Sequence, residues 1–294
     1  MSEITASMVK TLRERTGAGI MDCKKALAES SGDMEAAIDY LRKSGQAKAV
    51  KREGKVTAEG VVAVAQHASQ KQAYLLEINC ETDFVARDHQ FKAFTEQLIQ
   101  ACSEHSFATI EELLAHKTEA GSSLEEVRCE LVAKIGENIQ VRRMQHISSE
   151  HPLGVYQHGD RIAACVSLNI NDPALGKDLA MHITASNPAA ISEAELDAAL
   201  IAKERDIFVT QALQSGKPEA IIDKIVAGQI AKFVNAQTLV GQPFIKDPDQ
   251  TVANLLKSHA ATVTAFIRLE VGEGIEKEEQ DFAAEVQAQI KGSD

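Results

Sequence analysis

The feature that most constrains the fold is an order of strand, strand, helix and strand that occurs twice along the chain. In the first half, Val61–His67 and Ala73–Cys80 are predicted as paired strands, followed by helices and a third strand. In the second half, a similar strand pair surrounds the turn His158–Asp160 and is followed by a helix and an alternating strand. This order favours an α+β fold whose core consists of two similar units.

The other elements of the two units are placed by the spacing of their apolar residues. The first unit continues with a helix from Asp88, a helix over Leu124–Ile135 and a strand over Asn138–Ile147. The second unit contains strands over Gly154–Gln157 and Ile162–Ile170, a helix over Ala174–Ser186 and a strand over Thr262–Val271.

Residues 1–55 precede these units and are predicted to form three short helices with a basic tail. Thr5 is a good N-cap for the first helix, and the third begins at Asp33 and ends at Gly45. The polar residues 46–55 that follow are typical of a solvated linker. Three helices this short bury little apolar area, so we expect the module to pack on something else.

A long insertion interrupts the second unit at about residues 192–236. Ser192 and Glu195 have the spacing of a capping box, which predicts a helix start. The segment Ser215–Pro218 combines a helix stop with a helix start, so two antiparallel helices should form a projecting hairpin. A final helix is predicted within residues 278–294.

The formal net charge of −12 limits the kinds of partner that the chain can bind. Its 43 acidic side chains outnumber its 31 Lys and Arg side chains, and an acidic protein is repelled by the phosphates of nucleic acids. No apolar run approaches the roughly 18 residues that a membrane span needs. We therefore expect a protein partner, without direct nucleic-acid binding and without a membrane segment.

No pattern of catalytic or metal-binding residues stands out. Thr16–Ile20 is rich in glycine, but it matches neither GxGxxG nor the GxxxxGK[ST] phosphate loop, and the histidines lack metal-ligand spacing. Five scattered cysteines without a CxxC pair argue against disulfides and structural zinc, and they indicate a reducing, cytoplasmic environment. The sequence thus predicts no enzyme, no metal and no cofactor.

Seven stretches, in order along essentially the whole chain, resemble bacterial elongation factor Ts. They are LRERTGAGIMDCKKAL (Leu12–Leu27), NCETDFVARD (Asn79–Asp88), LVAKIGENI (Leu131–Ile139), YQHGDRIA (Tyr156–Ala163), QSGKP (Gln214–Pro218), GQPF (Gly241–Phe244) and FIRLEVGEGIE (Phe266–Glu276). The resemblance implies a guanine-nucleotide exchange factor that binds elongation factor Tu in its GDP-bound and nucleotide-free forms and has no bond chemistry of its own.

The residues Thr82, Asp83, Phe84 and Val85 match the family's magnesium-dislodging motif. The resemblance implies that Phe84 is an aromatic wedge presented on a tight turn and that Asp83 is a polar contact beside it. Without the resemblance, the residues favour different roles. Phe84 would be a core residue at a strand–helix junction, and Asp83 would cap the short turn that follows.

Four further residues lie in matching stretches and are implied to contact the partner. Arg13, Ile20 and Met21 are candidates for contacting its nucleotide-binding domain, and His158 is a candidate from the second core unit. Their alternative roles are a solvated arginine, two core residues and a structural surface histidine. Among these alternatives, a core role is favoured most for Ile20.

The resemblance also implies a division of the chain into five parts. These are a ubiquitin-associated-like N-terminal domain (1–55), a core N-subdomain (56–149), a core C-subdomain (150–191 and 237–277), a coiled-coil helical hairpin (192–236) and a C-terminal helical module (278–294). A heterodimer with the partner, alone or paired into a two-by-two heterotetramer, is compatible with this organisation.

Two other classes of function remain open at this point. The N-terminal helices also fit a ubiquitin-associated-type binding module on a chaperone or adaptor, although the duplicated core and the turn at Thr82–Val85 would then have no purpose. An enzyme whose site escapes motif analysis is the second alternative, and a stoichiometric bound cofactor would support it.

Overall fold

The computed structural model describes residues 4–214 and 219–276. Within these residues the chain has the expected α+β class, with eleven α-helices and eight strands. The helices are α1 (Ala6–Thr16), α2 (Ile20–Glu29), α3 (Met34–Arg52), α4 (Asp83–Ala86), α5 (His89–Glu104), α6 (Ile110–Ala115), α7 (Leu124–Ile135), α8 (Pro173–Ser186), α9 (Ala198–Gln214), α10 (Glu219–Gln237) and α11 (Val252–Ser258). The strands are β1 (Glu59–Gln66), β2 (Gln72–Cys80), β3 (Ile139–Ser148), β4 (Gly154–His158), β5 (Ile162–Leu168), β6 (Pro243–Phe244), β7 (Asp247–Thr251) and β8 (Val263–Glu270).

The N-terminal helices begin where their capping residues predict. The Thr5 hydroxyl accepts a hydrogen bond from the Met8 N–H (3.3 Å), and the Asp33 carboxylate accepts one from the Ala36 N–H (2.8 Å). Gly17 ends α1 in the left-handed region, with φ of 67°, a conformation that glycine adopts readily. The predicted starts of α1 and α3 are therefore confirmed.

The predicted end of the third helix at Gly45 is wrong, because α3 continues to Arg52. Most of the predicted linker 46–55 is thus helical, since Ala, Lys and Arg are good helix formers and Ala49 is buried in the core. Gly45 lets α3 approach α7 closely, because a Cβ at this position would lie 3.4 Å from the Cβ of Ala133. The N-terminal module therefore packs on the rest of the protein, as its small size predicts.

Two three-stranded antiparallel sheets form the centre of the molecule. Their strand orders are β1-β2-β3 and β4-β5-β8, so β2 and β5 are the central strands. The chain passes from β2 to β3 through helices, and from β5 to β8 through α8, α9, α10, the short β6–β7 hairpin and α11. The two sheets therefore share the same connectivity.

Both faces of each sheet are covered, because successive residues of a strand point to opposite sides. Helices α5 and α7 pack on one face of the first sheet, and α8 and α11 pack on one face of the second. The two remaining faces meet in an apolar cluster that includes Val62, Leu75, Ala163, Cys165 and Leu269. The layers are thus helix, sheet, sheet and helix.

Helices α9 and α10 pack against each other through their own apolar cluster. The chain leaves and returns to the second sheet at Ala190 and Thr238, which form an isolated β-bridge. The two helices therefore run outward and back, although their joint, Ser215–Pro218, lies outside the described residues. The predicted capping box is wrong: Ser192 makes no capping hydrogen bond, and the Glu195 carboxylate accepts from the Ile191 N–H (2.9 Å) rather than from the Ser192 N–H.

The sequence patterns miss three short features: α6, the β6–β7 hairpin and α11. The helix predicted near the end of the chain, within residues 278–294, lies outside the described part. Among the described helices, none is long and apolar enough to cross a membrane.

A buried carboxylate joins the two sheets. Glu77 on β2 is fully buried and accepts hydrogen bonds from Arg142 (3.1 Å), from Arg143 and from the Gly272 N–H (2.8 Å). The pairing of β2 and β3 shifts beside Glu77, and this bulge directs two adjacent arginines toward one carboxylate. Arg143 also donates to the carbonyl oxygen of Glu270 on β8 (2.7 Å), so the ion cluster spans both sheets.

We expect Glu77→Gln to lower the free energy of unfolding by about 3 kcal/mol near neutral pH, because two arginines lose a buried partner charge. Burial raises the pKa of the Glu77 carboxyl, but the hydrogen bonds from Gly272 and Arg143 outweigh it, and the pKa lies below its ordinary value. The carboxylate therefore stabilises the fold above its unfolded pKa of about 4.3. That stabilisation is lost as the pH falls through the folded pKa.

Urea denaturation of both proteins between neutral and acidic pH measures this effect, and the difference between them should shrink in acid. Glu35→Gln is the matched control, because the Glu35 carboxylate pairs with Arg15 in solvent (2.9 Å). It should change the free energy of unfolding by less than about 1 kcal/mol. Equal losses in both variants, or a difference independent of pH, would contradict the role of Glu77.

All five cysteines are free and buried. Burial raises the pKa of the Cys23 thiol and brings the pKa of the others to about 12 (Cys80, Cys102, Cys165) or about 11 (Cys129). The reactive thiolate is therefore scarce near neutral pH. We expect Ellman's reagent to detect five thiols in urea and almost none in the native protein, and a fast native reaction would contradict this.

Candidate functional site

A single turn of helix, α4, follows directly after the central strand β2. The Thr82 hydroxyl caps it by accepting a hydrogen bond from the Val85 N–H (3.4 Å). The Asp88 carboxylate then caps α5 by accepting one from the Gln90 N–H (2.8 Å). Two helix starts so close together force the chain to bend sharply between β2 and α5, and the bend presents α4 at the surface.

The prediction that Asp83 caps this turn is wrong, because the cap is Thr82. Asp83 is instead the first residue of α4, and its carboxylate pairs with Arg87 one turn later (3.0 Å). Both side chains are solvated, so this pair contributes little to stability. Asp83 is thus left accessible beside Phe84.

Phe84 and Val85 are adjacent, but Phe84 is exposed to solvent and Val85 is buried. Val85 is 8% exposed and packs in the core with the first sheet, whereas Phe84 is 80% exposed. Adjacent helical residues point about 100° apart, so burying Val85 directs Phe84 outward. The prediction that Phe84 is a core residue is therefore wrong. It is the most exposed large apolar side chain in the described part of the chain.

A carboxylate from a distant loop fixes the start of α4. Glu137, between α7 and β3, accepts hydrogen bonds from the Thr82 N–H (3.0 Å) and the Thr82 hydroxyl (2.7 Å). Bonds to a carboxylate are stronger than bonds between neutral groups. Sequence analysis missed Glu137 because 55 positions separate it from Thr82, and only the fold brings the two together.

The N-terminal residues that the sequence singled out are all exposed. Arg13 lies on the solvent side of α1, and Ile20 and Met21, at the start of α2, are 55% and 74% exposed. The core alternative for Ile20 and Met21 is therefore wrong. Ile20 has the same spacing as the buried residues of α2, but as the first residue of that helix it extends beyond the packed interface.

The structure places the start of α2 and the Thr82–Val85 turn along the same side of α3. Lys48 pairs with Asp22, next to Met21 (2.9 Å), and Arg52 pairs with Glu81, next to Thr82 (3.4 Å). Lys48 and Arg52 are four residues apart, so they share a helix face and are separated by about 6 Å along its axis. Val50 and Val56, which sequence analysis missed, are also exposed, but Val50 is two residues from both Lys48 and Arg52 and therefore faces the other side of α3.

His158 lies at the same end of the first sheet as this turn. It is the exposed last residue of β4, and the turn that follows packs on β1. There, the backbone carbonyl oxygen of Asp160 accepts a hydrogen bond from the Val62 N–H (2.8 Å), and Arg161 pairs with Glu59 (2.9 Å). Glu59 is the β1 residue opposite Cys80 at the end of β2.

Together, these exposed side chains have the chemistry of a protein-binding site. They include one exposed aromatic ring, apolar side chains at the start of α2 and a few solvated charges, a composition that favours contact with another protein. Within residues 4–214 and 219–276, no three His, Cys, Asp or Glu side chains are grouped to hold a metal ion.

Comparison with known proteins gives consistent matches. A family model described as Elongation factor TS matches residues 81–273, more than half of the chain. The chain is 51% identical over 292 residues to Elongation factor Ts of Thioalkalivibrio sulfidiphilus, with 99% of each chain covered. It is 52% identical over 291 residues to that of Methylococcus capsulatus, with 99% of each covered. It is also 52% identical over 292 residues to that of Francisella tularensis subsp. novicida, covering 99% of this chain and 100% of the relative.

Substitutions in the turn should separate exposed from buried residues. We expect Phe84→Ala to change the free energy of unfolding by less than about 0.5 kcal/mol, because the ring is solvated. Val85→Ala should lower it by about 2 kcal/mol, since two buried methyl groups are lost. Urea denaturation of the two variants measures the difference, and a large loss in Phe84→Ala would mean that the ring is buried in solution.

Proposed function

Because the chain belongs to the elongation factor Ts family, a family of translation elongation factors, we propose that it is the guanine-nucleotide exchange factor for elongation factor Tu. It binds the GDP-bound partner, disturbs the bound Mg²⁺ and the phosphate contacts, and releases GDP so that GTP can bind. The observation that carries the proposal is the 80% exposure of Phe84 on a turn that Thr82 caps at its start and that Glu137 holds in place.

Phe84 acts as the wedge. An aromatic side chain that enters a partner's pocket is the type of residue that dominates interface energy. The α4 backbone is already fixed before binding, so little ordering entropy is lost on association. Asp83 supplies a polar contact beside the ring, while Thr82 and Val85 hold the turn by capping it and anchoring it in the core.

The wedge weakens nucleotide binding without touching the nucleotide. Mg²⁺ requires near-ideal octahedral geometry, so small displacements of the partner's phosphate-binding elements weaken its coordination. The phosphate charges are then less neutralised, and GDP leaves faster. The coupling is reciprocal: GDP or GTP must weaken binding of the factor by the same ratio. The chain makes and breaks no bond and needs no cofactor.

The other exposed residues complete the contact surface. Arg13, Ile20 and Met21 dock the ubiquitin-associated-like domain (1–55) on the partner's nucleotide-binding domain, and His158 contacts the partner from the second sheet. The rest of the chain is divided into a core N-subdomain (56–149), a core C-subdomain (150–191 and 237–277), a coiled-coil helical hairpin (192–236) and a C-terminal helical module (278–294). The complex is a cytoplasmic heterodimer able to pair into a two-by-two heterotetramer.

The test is the release of a fluorescent GDP analogue from elongation factor Tu, with excess unlabelled GDP. We expect strong acceleration by the wild type. Phe84→Ala should reduce the acceleration about 30-fold, as for the loss of roughly 2 kcal/mol at an interface hot spot. Asp83→Ala should reduce it less, because its carboxylate is only a polar contact.

Ile245→Ala is the matched control, because it also removes an exposed apolar side chain but lies in the β6–β7 hairpin. This variant should accelerate GDP release from elongation factor Tu as much as the wild type does. No acceleration by the folded wild type would contradict the exchange function and favour the adaptor alternative. Equal losses in Phe84→Ala and Ile245→Ala would contradict the wedge.

A further inference from the structure

Three segments of the chain meet behind the exposed turn. They are the last residue of α3 with the three residues after it (52–55), the two residues after β2 (81–82) and the two residues before β3 (137–138). We call this meeting point the clamp. Its centre is Asn138, which is buried and donates its side-chain amide to the carbonyl oxygens of Lys55 (3.1 Å) and Glu53 (3.4 Å).

Two carboxylates continue the β2–β3 ladder beyond its last backbone pair. That pair is Cys80 with Ile139, so the next positions across the strands are 81 with 138 and 82 with 137. At the first, the Glu81 carboxylate accepts a hydrogen bond from the Asn138 N–H (2.6 Å). At the second, the Glu137 carboxylate accepts from the N–H and the hydroxyl of Thr82.

The clamp also reaches the N-terminal module. Arg52, at the end of α3, pairs with the Glu81 carboxylate (3.4 Å). One turn earlier on the same helix face, Lys48 pairs with Asp22 at the start of α2 (2.9 Å). A short series of ionic contacts therefore connects the helix that carries Met21 with the turn that carries Phe84.

A single helical turn needs such support. One turn of helix fixes several backbone dihedral angles for very few hydrogen bonds, so it is unstable by itself. Helix α4 has only four residues, and its outward side is in solvent. Its stability must come from Val85 below it and from the bonds at Thr82.

We propose that Glu137 is a positioning residue for nucleotide exchange. It touches neither the partner nor the nucleotide, and it acts through Thr82 to hold Phe84 at a fixed place relative to α3. Glu81 and Asn138 support Glu137 by hydrogen-bonding the chain after β2 to the chain before β3, which are the segments that hold Thr82 and Glu137. This inference rests on the proposed exchange function. In this proposal, the clamp keeps Phe84 rigidly positioned relative to the N-terminal helices. When those helices dock on the partner, Phe84 is therefore held against the partner's surface.

A positioning role has a kinetic signature in GDP release. Glu137→Ala should lower the maximal release rate about tenfold, because a small misplacement of a reacting group has a large effect on rate. The concentration of factor that gives half-maximal release should change less than about twofold, because the docking residues Arg13 and Met21 are untouched. Glu137→Gln should recover part of the rate, since its amide oxygen can still accept one hydrogen bond.

The decisive comparison is a double-mutant cycle with Phe84→Ala. If Glu137 acts only through Phe84, then adding Glu137→Ala to Phe84→Ala should cause no further loss of rate. A general structural role would instead give independent, multiplicative losses. Glu119→Ala is the matched control, because it removes an exposed carboxylate outside the clamp, and its rate should equal that of the wild type.

Hydrogen exchange gives a readout that does not depend on the partner. The amides of Val85 and Ala86 should exchange at least tenfold faster in Glu137→Ala, while those in the middle of β2 stay protected. If Glu137→Ala unfolds broadly, Glu137→Gln, which keeps the side-chain size and leaves the Thr82 cap of α4 in place, replaces it in both experiments, with smaller changes in the same direction.

The outcomes distinguish the positioning role of Glu137 from the exchange function on which it rests. Independent losses in the cycle, an unchanged maximal rate or unchanged exchange at α4 would overturn the positioning role while leaving the exchange function intact. Absence of acceleration by the wild type itself would overturn both, and it is recognised without any variant. Non-additive rates together with faster exchange at α4 would support the clamp.

Discussion

The structure depends on the burial of one carboxylate between two sheets. Glu77 is on the central strand of the first sheet, and its partners Arg142, Arg143 and Gly272 come from β3 and from the chain after β8. A buried charge is tolerated only when it is paired and hydrogen-bonded. This requirement fixes the bulge in β3 and the position of the end of β8 against the first sheet.

Strand β2 is central to the first sheet and also leads directly into the candidate site. From Tyr74 to Cys80, β2 is buried throughout, and its register with β3 is set by residues on both faces. Three residues beyond Cys80 the chain is in α4, with Phe84 in solvent. The β2–β3 register therefore determines where Phe84 lies. The carboxylates of Glu81 and Glu137 continue the pairing of the two strands beyond their ends and hold the start of α4.

Local sequence patterns predicted those elements that local interactions determine. The bounds of α7 agree with its apolar spacing, and α1 and α3 start at their predicted caps. The errors occurred where a distant contact outweighs a local signal. Gly45 is a typical helix end, yet α3 continues through it because α7 packs there. Ser192 and Glu195 have capping-box spacing, but the chain at this point turns to enter the arm.

The sequence by itself determined the α+β class, the two strand pairs with the repeated order of elements around them, and the segment that carries the candidate site. Only the tertiary structure decided which residues of that segment face outward. Phe84 and Val85 are both apolar and adjacent, and no local signal tells which is buried. Burial of one of them depends on the core that β1, β2 and α5 build around it, so the exposure of Phe84 is a property of packing between distant residues.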